Sequence, residues 1–586
     1  MKKSNTKHEK LKAIEHLPTC SCGSCNGGSI NRKDFLKAVG LTSLGLGLSP
    51  VAAFALQNGG AVEMAKSKTV ATGKAQRITL LHTADIHGQV TVHDEFFWEN
   101  EQTVFKKRGG FAHLKSMINT LRKENPNTLL LDGGDCFQGS AIAALSEGQA
   151  MIPLMNNIGY DLMLPGNWEV VYGKKMLIHD MGAYHAPKVC ANMFHDQSGE
   201  MIFPPYHTFY IGGIKIGFVG YNDPLTPIRQ SPAYSNGIKF SEPGANLAKY
   251  VQVLREQEEC DLVIAMTHMG LAQQLHLSNQ NFAEGVDYIF GADTHERIRQ
   301  PLQGTYSKVT EPGSFASFVG KMDLIIEDGK IKDQTYELLE VDPEKYAADE
   351  EMEQLVAKAY EPYNSQVKKV IGKTTTPLLR YFVIETPMDN LITDALMWKA
   401  KPDIALSNGF RFCPPLVPDK DTGSADITLD YLWSMLPVDS DVKTAEITGQ
   451  QLKNWLEHEL ENVFAKDATK RFGGWLIRFN GMELKFTIGR DPGKRIDEVK
   501  ISGHLLDISR TYTVAACERE GDPDSLLCRI KDVKNARHAG YKLHDVMIDY
   551  LAVHSPVAPK IEGRAIASDA PSTLLTQAEG VNYKFR

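Results

Sequence analysis

The sequence predicts an α/β protein. Short apolar runs of strand length recur from residue 77 onward, helix-length stretches stand between them, and five of the runs lead into Asp, Asn or His. The runs are 78–83 (ITLLHT), 127–131 (NTLLL), 160–164 (YDLML), 215–220 (KIGFVG), 261–266 (DLVIAM) and 286–290 (VDYIF). Each has the length and apolarity of a buried strand. Helical stretches fill 112–123 and 246–259. Short buried strands alternating with helices define the α/β class.

At 586 residues the chain is expected to form more than one domain. A first α/β domain is expected over 77–345. A charged helical segment, 346–371, reads as a linker, and a second domain over 372–570 mixes helices at 390–398 and 449–463 with strands and Gly-rich turns. A substrate cleft between two domains joined in this way makes domain closure an expectation. Hydrophobic residues make up 42% and charged residues 23%, ordinary for a soluble globular protein, and the net charge of -8 offers no basic footprint for a nucleic acid polymer. An acidic enzyme needs local positive charge to take a small anionic substrate, and bound metal ions would supply it. Lys106, Lys107 and Arg108 are a further candidate for the mouth of a pocket.

The one long apolar stretch, 38–56, is rich in Gly and Ser and makes a poor membrane anchor. It comes after Asn31-Arg32-Lys33-Asp34-Phe35-Leu36-Lys37, which resembles a twin-arginine export signal with Lys33 in place of the second Arg. Ala53-Phe54-Ala55 offers a small-x-small cleavage site. Residues 1–55 are therefore expected to be an export signal, by the twin-arginine or the general route. The mature chain is expected to be periplasmic or otherwise exported, with no stable membrane insertion. Six cysteines (Cys136, Cys190, Cys260, Cys413, Cys517, Cys528) lie beyond that signal, scattered among apolar residues. Buried free thiols are the plain reading, and an oxidising compartment leaves a Cys517–Cys528 disulfide open.

The chemistry lies in the segment after each strand. The first strand leads into Asp85-Ile86-His87, the second into Asp132-Gly133-Gly134-Asp135, and the third into Gly166-Asn167-Trp168-Glu169. The fifth leads into Thr267-His268-Met269-Gly270 and the sixth into Gly291-Ala292-Asp293-Thr294-His295. Functional groups of open α/β sheets gather at the carboxyl ends of strands. One Asp-x-His is weak, since a salt-bridged loop explains it equally well; five such segments in order are strong. Two divalent cations about 3.5–4 Å apart repel one another and need a bridging carboxylate, and together they acidify a water and clamp both oxygens of an in-line displacement. Mixed imidazole and carboxylate donors suit manganese, zinc or iron.

The order Asp-x-His, Gly-Asp, Gly-Asn-x-Glu, His, Gly-x-x-x-His resembles the calcineurin-like metallophosphatase superfamily, whose fold is a β-sandwich flanked by helices. Asn390-Leu391-Ile392-Thr393-Asp394-Ala395, Ser407-Asn408-Gly409-Phe410-Arg411, Leu436-Pro437 and Glu446-Ile447-Thr448-Gly449 are similar to the smaller α/β C-terminal domain of 5'-nucleotidases. The resemblance implies that Asp85, His87 and His295 hold one metal, that Asn167, His268 and Asp293 hold a second, and that Asp135 bridges them. It implies catalytic roles for Asp135, Asn167, His268 and Arg411, and substrate contacts from Asn408, Arg411 and Phe472. It also implies two divalent ions, with manganese favoured and zinc or iron possible.

Three positions depart from the family. Trp168 stands where a catalytic His is usual, and indole cannot shuttle protons. Asp293 replaces a metal-binding His, which favours a harder ion such as manganese. The second of the two rings that sandwich a nucleobase has no match near Gly521-Asp522-Pro523. With Tyr172-Gly173 and Phe472-Gly473-Gly474-Trp475, these departures are similar to the sulfur-oxidation thiosulfohydrolases, dimanganese relatives that release sulfate from a carrier-protein cysteine adduct. The sequence is compatible with three functions: hydrolysis of a nucleotide-like phosphate monoester, sulfate release from a thiol-carrier protein, or metal binding without catalysis.

Overall fold

The structure is a computed structural model, described for residues 75–408 and 413–575. The export signal expected over 1–55 and the substrate residue Arg411 lie outside the described residues. Among the described residues no helix is long and apolar enough to cross a membrane.

Two sheets form the first half. One runs in the order Lys330–Glu340, Phe318–Glu327, Gln76–Thr83, Thr128–Asp132, Leu162–Met163. The other runs Leu302–Gln303, Lys308–Thr310, Tyr288–Ala292, Leu262–His268, Ile214–Asn222, Tyr206–Ile211. Ile78, Leu80 and Leu130 of the first share one core with Ile216, Phe218, Ile264, Met266 and Phe290 of the second. The sheets therefore pack face to face as a sandwich. Thr128–Asp132 and Leu262–His268 are buried at every position, which is why they read as continuous apolar runs.

Register sets where the loops emerge. Thr83 pairs with Asp132 and Asp132 with Met163, all running parallel. In the second sheet His268 pairs in parallel with both Ala292 and Asn222. Three strand ends thus finish level in each sheet, and the five segments singled out in the sequence start from five of these six ends.

Helix Phe111–Glu124 covers the first sheet with Leu114, Met117, Ile118 and Leu121 buried. The expected helix 246–259 is helical over Gly244–Gln252 and continues through Val253–Gln257 with π-type bonding. The expected strand 160–164 is regular only at Leu162–Met163, with Asp161 N–H donating to the Leu130 carbonyl (2.8 Å) and Leu164 N–H to that of Asp132 (3.0 Å) on either side, while the Asp161 side chain accepts from the Leu130 N–H and Arg122. Helix Glu350–Tyr360 starts on Asp349, whose side chain accepts from Met352 N, and Met352 is buried in the first core.

The second half has a sheet ordered Arg478–Asn480, Ile404–Ser407, Thr511–Cys517, Asp441–Thr448, Lys534–Lys542. Helices Pro387–Ala400 and Gly449–Phe464 pack on it, capped by Thr386 and by a Thr448/Gln451 capping box. The six described cysteines are all free, Cys517 and Cys528 included. Lys106, Lys107 and Arg108 do not line the pocket between the two halves. They stand on the hairpin strand Gln102–Gly109 and pair with Glu99 (2.6 Å), Asp94 (2.8 Å) and Glu340 (2.8 Å).

Candidate metal centre

Of the seven side chains expected as metal ligands, six come from the segments that follow the strand ends, and His268 is itself the last residue of Leu262–His268. Five of them adopt left-handed backbone angles: Asp85 (φ 53°), His87 (φ 50°), Asp135 (φ 65°), Asp293 (φ 91°) and His295 (φ 60°). A non-glycine residue held there costs about 1–3 kcal/mol, and such strain clusters at functional sites.

Two triads of ligand atoms converge. Asp85, His87 and His295 form one, and Asp85, Asp135 and His268 the other, with the atoms of each triad within 4.8 Å of one another and every residue buried. The Nε2 atoms of His87 and His295 lie 3.0 Å apart. His268 Nε2 finds Asp135 Oδ2 at 3.0 Å, Asp85 Oδ1 at 3.8 Å and Asp293 Oδ1 at 3.9 Å, yet no acceptor in hydrogen-bonding geometry. Asp85 belongs to both triads, and Asp135 Oδ2 also lies 3.7 Å from His87 Nε2.

The surroundings suit cations. His87 Nδ1 meets the Gln138 carbonyl at 2.9 Å and His268 Nδ1 meets that of Gly133 at 2.7 Å. A proton on each Nδ1 would leave Nε2 as a free donor atom facing the centre, the usual support of a metal-binding imidazole. Burial lowers His87 to about 4, so that ring is neutral. Burial, added to the charges of Asp135, Glu311 and Asp293, pushes the Asp85 carboxyl well up despite His268. Burial opposes charge on His268 as well, but Asp135, Asp85 and Asp293 together push it well above the usual imidazole range. Crowded carboxyl groups around imidazole Nε2 atoms are the donor set of divalent transition metals, and a bound cation would take the place of the proton on His268.

Asn167 and Asp293 stand at the edge of the cluster. Asn167 Nδ2 donates to Asp293 Oδ1 (2.7 Å), and Gln230 Nε2 donates to Asn167 Oδ1 (3.0 Å). Trp168 is buried beside them and binds through its backbone, its N–H donating to Asp135 Oδ1 at 2.8 Å. His82 and His113 take no part: burial lowers His82 to about 3 against Phe290, and His113 bonds the Tyr346 carbonyl.

Two residues important to the site escape the sequence reading. Glu169 is buried and accepts from the N–H groups of Gly166 (2.6 Å), Asp135 (2.8 Å) and Cys136 (2.6 Å), so it fixes the loop that aims Asp135. Its place in Gly-Asn-x-Glu is visible in the sequence, but its partners are not. Arg229 reaches Asp223 (3.0 Å) and Asp293 (3.3 Å), and nothing in its local sequence marks it.

The centre opens into a cavity of about 560 Å³ between the two halves of the chain. Asp135, Asn167 and His295 line it from the first half, Asn408, Phe472 and Arg529 from the second. Phe472 is flanked by guanidinium groups, with the Arg529 carbon 5.5 Å and the Arg229 carbon 5.9 Å from the ring centroid.

A sandwich whose strand ends deliver buried His and Asp to one cavity floor defines a metal-dependent hydrolase of the calcineurin-like class. Residues 78–297 match the sequence model of the calcineurin-like phosphoesterases, and residues 370–518 match that of the 5'-nucleotidase C-terminal domain. The chain belongs to the family that joins these two domains, the 5'-nucleotidase family of metal-dependent phosphoric monoester hydrolases. It is 25% identical over 537 residues to the 5'-nucleotidase of Vibrio cholerae, covering 83% of this chain and 92% of that protein. It is also 25% identical over 541 residues to the trifunctional nucleotide phosphoesterase YfkN of Bacillus subtilis, where 83% of this chain spans only 34% of the relative. Among solved structures, the sulfate thiohydrolase SoxB of Thermus thermophilus superposes with a TM-score of 0.77 at 20% identity, covering 86% of this chain and 99% of that one. A 5'-nucleotidase precursor from the same organism gives 0.72 at 22% identity, covering 84% and 100%. Both share the fold.

Proposed function

We propose that the protein is an exported hydrolase that cleaves phosphate monoesters of the nucleotide kind at a pair of divalent cations. The observation that carries this reading is the double triad sharing Asp85 at the floor of the cavity. Asp85, His87 and His295 would hold one ion, and Asn167, His268 and Asp293 the other, with Asp135 between them. Manganese is favoured because Asp293 adds a hard oxygen donor, and zinc or iron fits the imidazoles. Divalent cations bound there lower the pKa of a water to about 7 and neutralise charge on a tetrahedral oxyanion.

The chain's own residues do the rest. Backbone carbonyls hold His87 and His268 with Nε2 inward, Glu169 fixes the Asp135 loop, and Gln230 orients Asn167. Asn408, Arg411 and Phe472 would contact substrate from the second domain, taken as 372–570 and joined to the first (77–345) through 346–371. Nucleotides are proposed because the Vibrio cholerae and Bacillus subtilis relatives are named for acting on them. Export rests on the signal at 1–55.

A second reading, sulfate release from a thiosulfonate on a carrier-protein cysteine, is favoured by two observations. Trp168 has no proton to give, and a sulfur leaving group of low pKa departs without one. The guanidinium groups beside Phe472 stand where a nucleobase would stack.

The test is direct. Manganese-loaded protein is incubated with nucleoside monophosphates and, separately, with a thiosulfonate-charged carrier peptide. Phosphate release with turnover is expected, and Asp135→Asn is expected to lose both bound metal and activity. Sulfate release alone selects the second reading. An Asp135→Asn protein with its metal content unchanged would remove the bridging role.

A further inference from the structure

The cavity wall carries several guanidinium groups, and three of them, Arg380, Arg519 and Arg529, each set at least two nitrogens on protein acceptors. Arg380 binds Asp389 and the Met435 carbonyl. Arg519 sets both Nε and Nη2 on Asp522 (2.9 Å each). Arg529 does the same on Glu459, at 2.9 and 2.5 Å.

Arg229 differs. Its two ion pairs, to Asp223 Oδ2 and Asp293 Oδ2, both run through Nη1. Nε is buried without an acceptor, and Nη2 forms no hydrogen bond among the described residues. The group lines the cavity, and the ring of Phe472 lies beside it. One carboxylate, Asp293, separates it from the cluster: Asp293 Oδ1 is 3.9 Å from His268 Nε2. The next residue, Gln230, braces Asn167. A charged donor nitrogen with no acceptor beside a cavity is one that an incoming oxyanion would satisfy.

We propose that Arg229 is a substrate-binding residue whose Nη2 takes a non-bridging oxygen of a tetrahedral oxyanion held at the metal centre, with Asp223 and Asp293 gripping Nη1 and Phe472 flanking the group. The proposal rests on the hydrolase reading above and serves a phosphate or a sulfonate group alike. It also explains how the cavity carries Asp293 in place of an imidazole, since the same guanidinium that meets substrate balances the added carboxylate.

The test uses the full chain purified with manganese. Binding of inorganic phosphate and of sulfate is measured calorimetrically for the wild-type protein, Arg229→Ala and Arg229→Lys, with metal content read by elemental analysis. Arg229→Ala is expected to keep its metal, to unfold at a lower temperature because the buried Asp223 loses this partner, and to bind its anion at least ~10-fold more weakly, the worth of charge-assisted hydrogen bonds. Arg229→Lys is expected to recover part of the loss, and added guanidinium, but not ammonium, to restore binding to Arg229→Ala. Whichever anion binds more tightly identifies the source of the oxyanion. Unchanged anion affinity in metal-replete Arg229→Ala overturns the proposal, and so does a loss that tracks loss of metal. A wild-type protein that binds neither anion overturns it too. Failure to hydrolyse nucleotides would sink only the phosphate-monoester reading, because anion binding is measured without turnover.

Discussion

At the scale of single residues, the carboxylate of Glu169 shows how a side chain that never faces substrate governs the centre. It gathers backbone N–H groups from both sides of Asp135, and burial, with the Asp135 charge, raises it to about 7. Glu169→Gln exchanges half of that acceptor set for a donor that faces N–H groups. The expected outcome is a metal affinity lower by about 10–100-fold, the usual effect of removing the support of a metal ligand, read by chelator competition. Unaltered affinity would mean that the loop holds Asp135 unaided. Gly-Asn-x-Glu is legible as a motif, but which of its members faces the centre and which holds backbone is set by three-dimensional direction, which one-dimensional spacing does not encode.

Among elements, the decisive contact is the approach of the loop after Thr128–Asp132 to the turn after Leu162–Met163. A Cβ on Gly166 would collide with Asp135 Oδ1 and sit 2.5 Å from Asp135 N. Neither the carboxylate nor the backbone beside it can yield without moving the proposed bridge. Gly166→Ala is therefore expected to destabilise the fold by about 1–3 kcal/mol, as overpacking does, and to reduce bound metal in parallel. Calorimetry and elemental analysis check the two together, and a variant that loses stability but keeps its metal would separate the turn from the centre. The sequence shows these strands because burial on both faces leaves an unbroken apolar run. It overstates the third, which is a regular strand only over Leu162–Met163.

At the scale of the whole molecule, the two halves are joined by buried polar and aromatic contacts rather than by the 346–371 segment alone. Glu95 meets Arg297 (2.6 Å) and the Tyr381 hydroxyl (2.5 Å), while Phe96 stacks on Tyr381 with centroids 4.8 Å apart. Gln138 donates to the Pro437 carbonyl and Arg519 to that of Ile228. The cavity is thus already walled from both sides, where the sequence suggests closure on binding. Burial alone would raise the Glu95 carboxyl, but Arg297, His93 and Tyr381 more than offset it and lower it from 4.5 to about 2. Because the folded value lies below the unfolded one, this pair contributes its full stability above about pH 4.5 and loses it as pH falls toward 2. Glu95→Gln removes the carboxylate that the buried Arg297 guanidinium meets at 2.6 Å. It should destabilise the protein by about 3–5 kcal/mol at neutral pH and flatten the acid limb of the stability curve. Chemical unfolding across pH checks both, and an unchanged acid limb would locate the acid sensitivity elsewhere.

The sequence by itself determined the α/β class, the order of the ligand-bearing segments and the chemistry of their donors. Apolar runs and short Asp, Asn and His motifs are local, and locality survives in one dimension. Only the tertiary structure decided that Asp85 serves both triads, that the Lys106-Lys107-Arg108 run is spent on nearby acids, and that Arg229 lines the cavity beside Asp293. Those facts depend on which residues, distant in the chain, share one low-dielectric space. Charge pairing is fixed by distance in space, and no periodicity in the sequence records it.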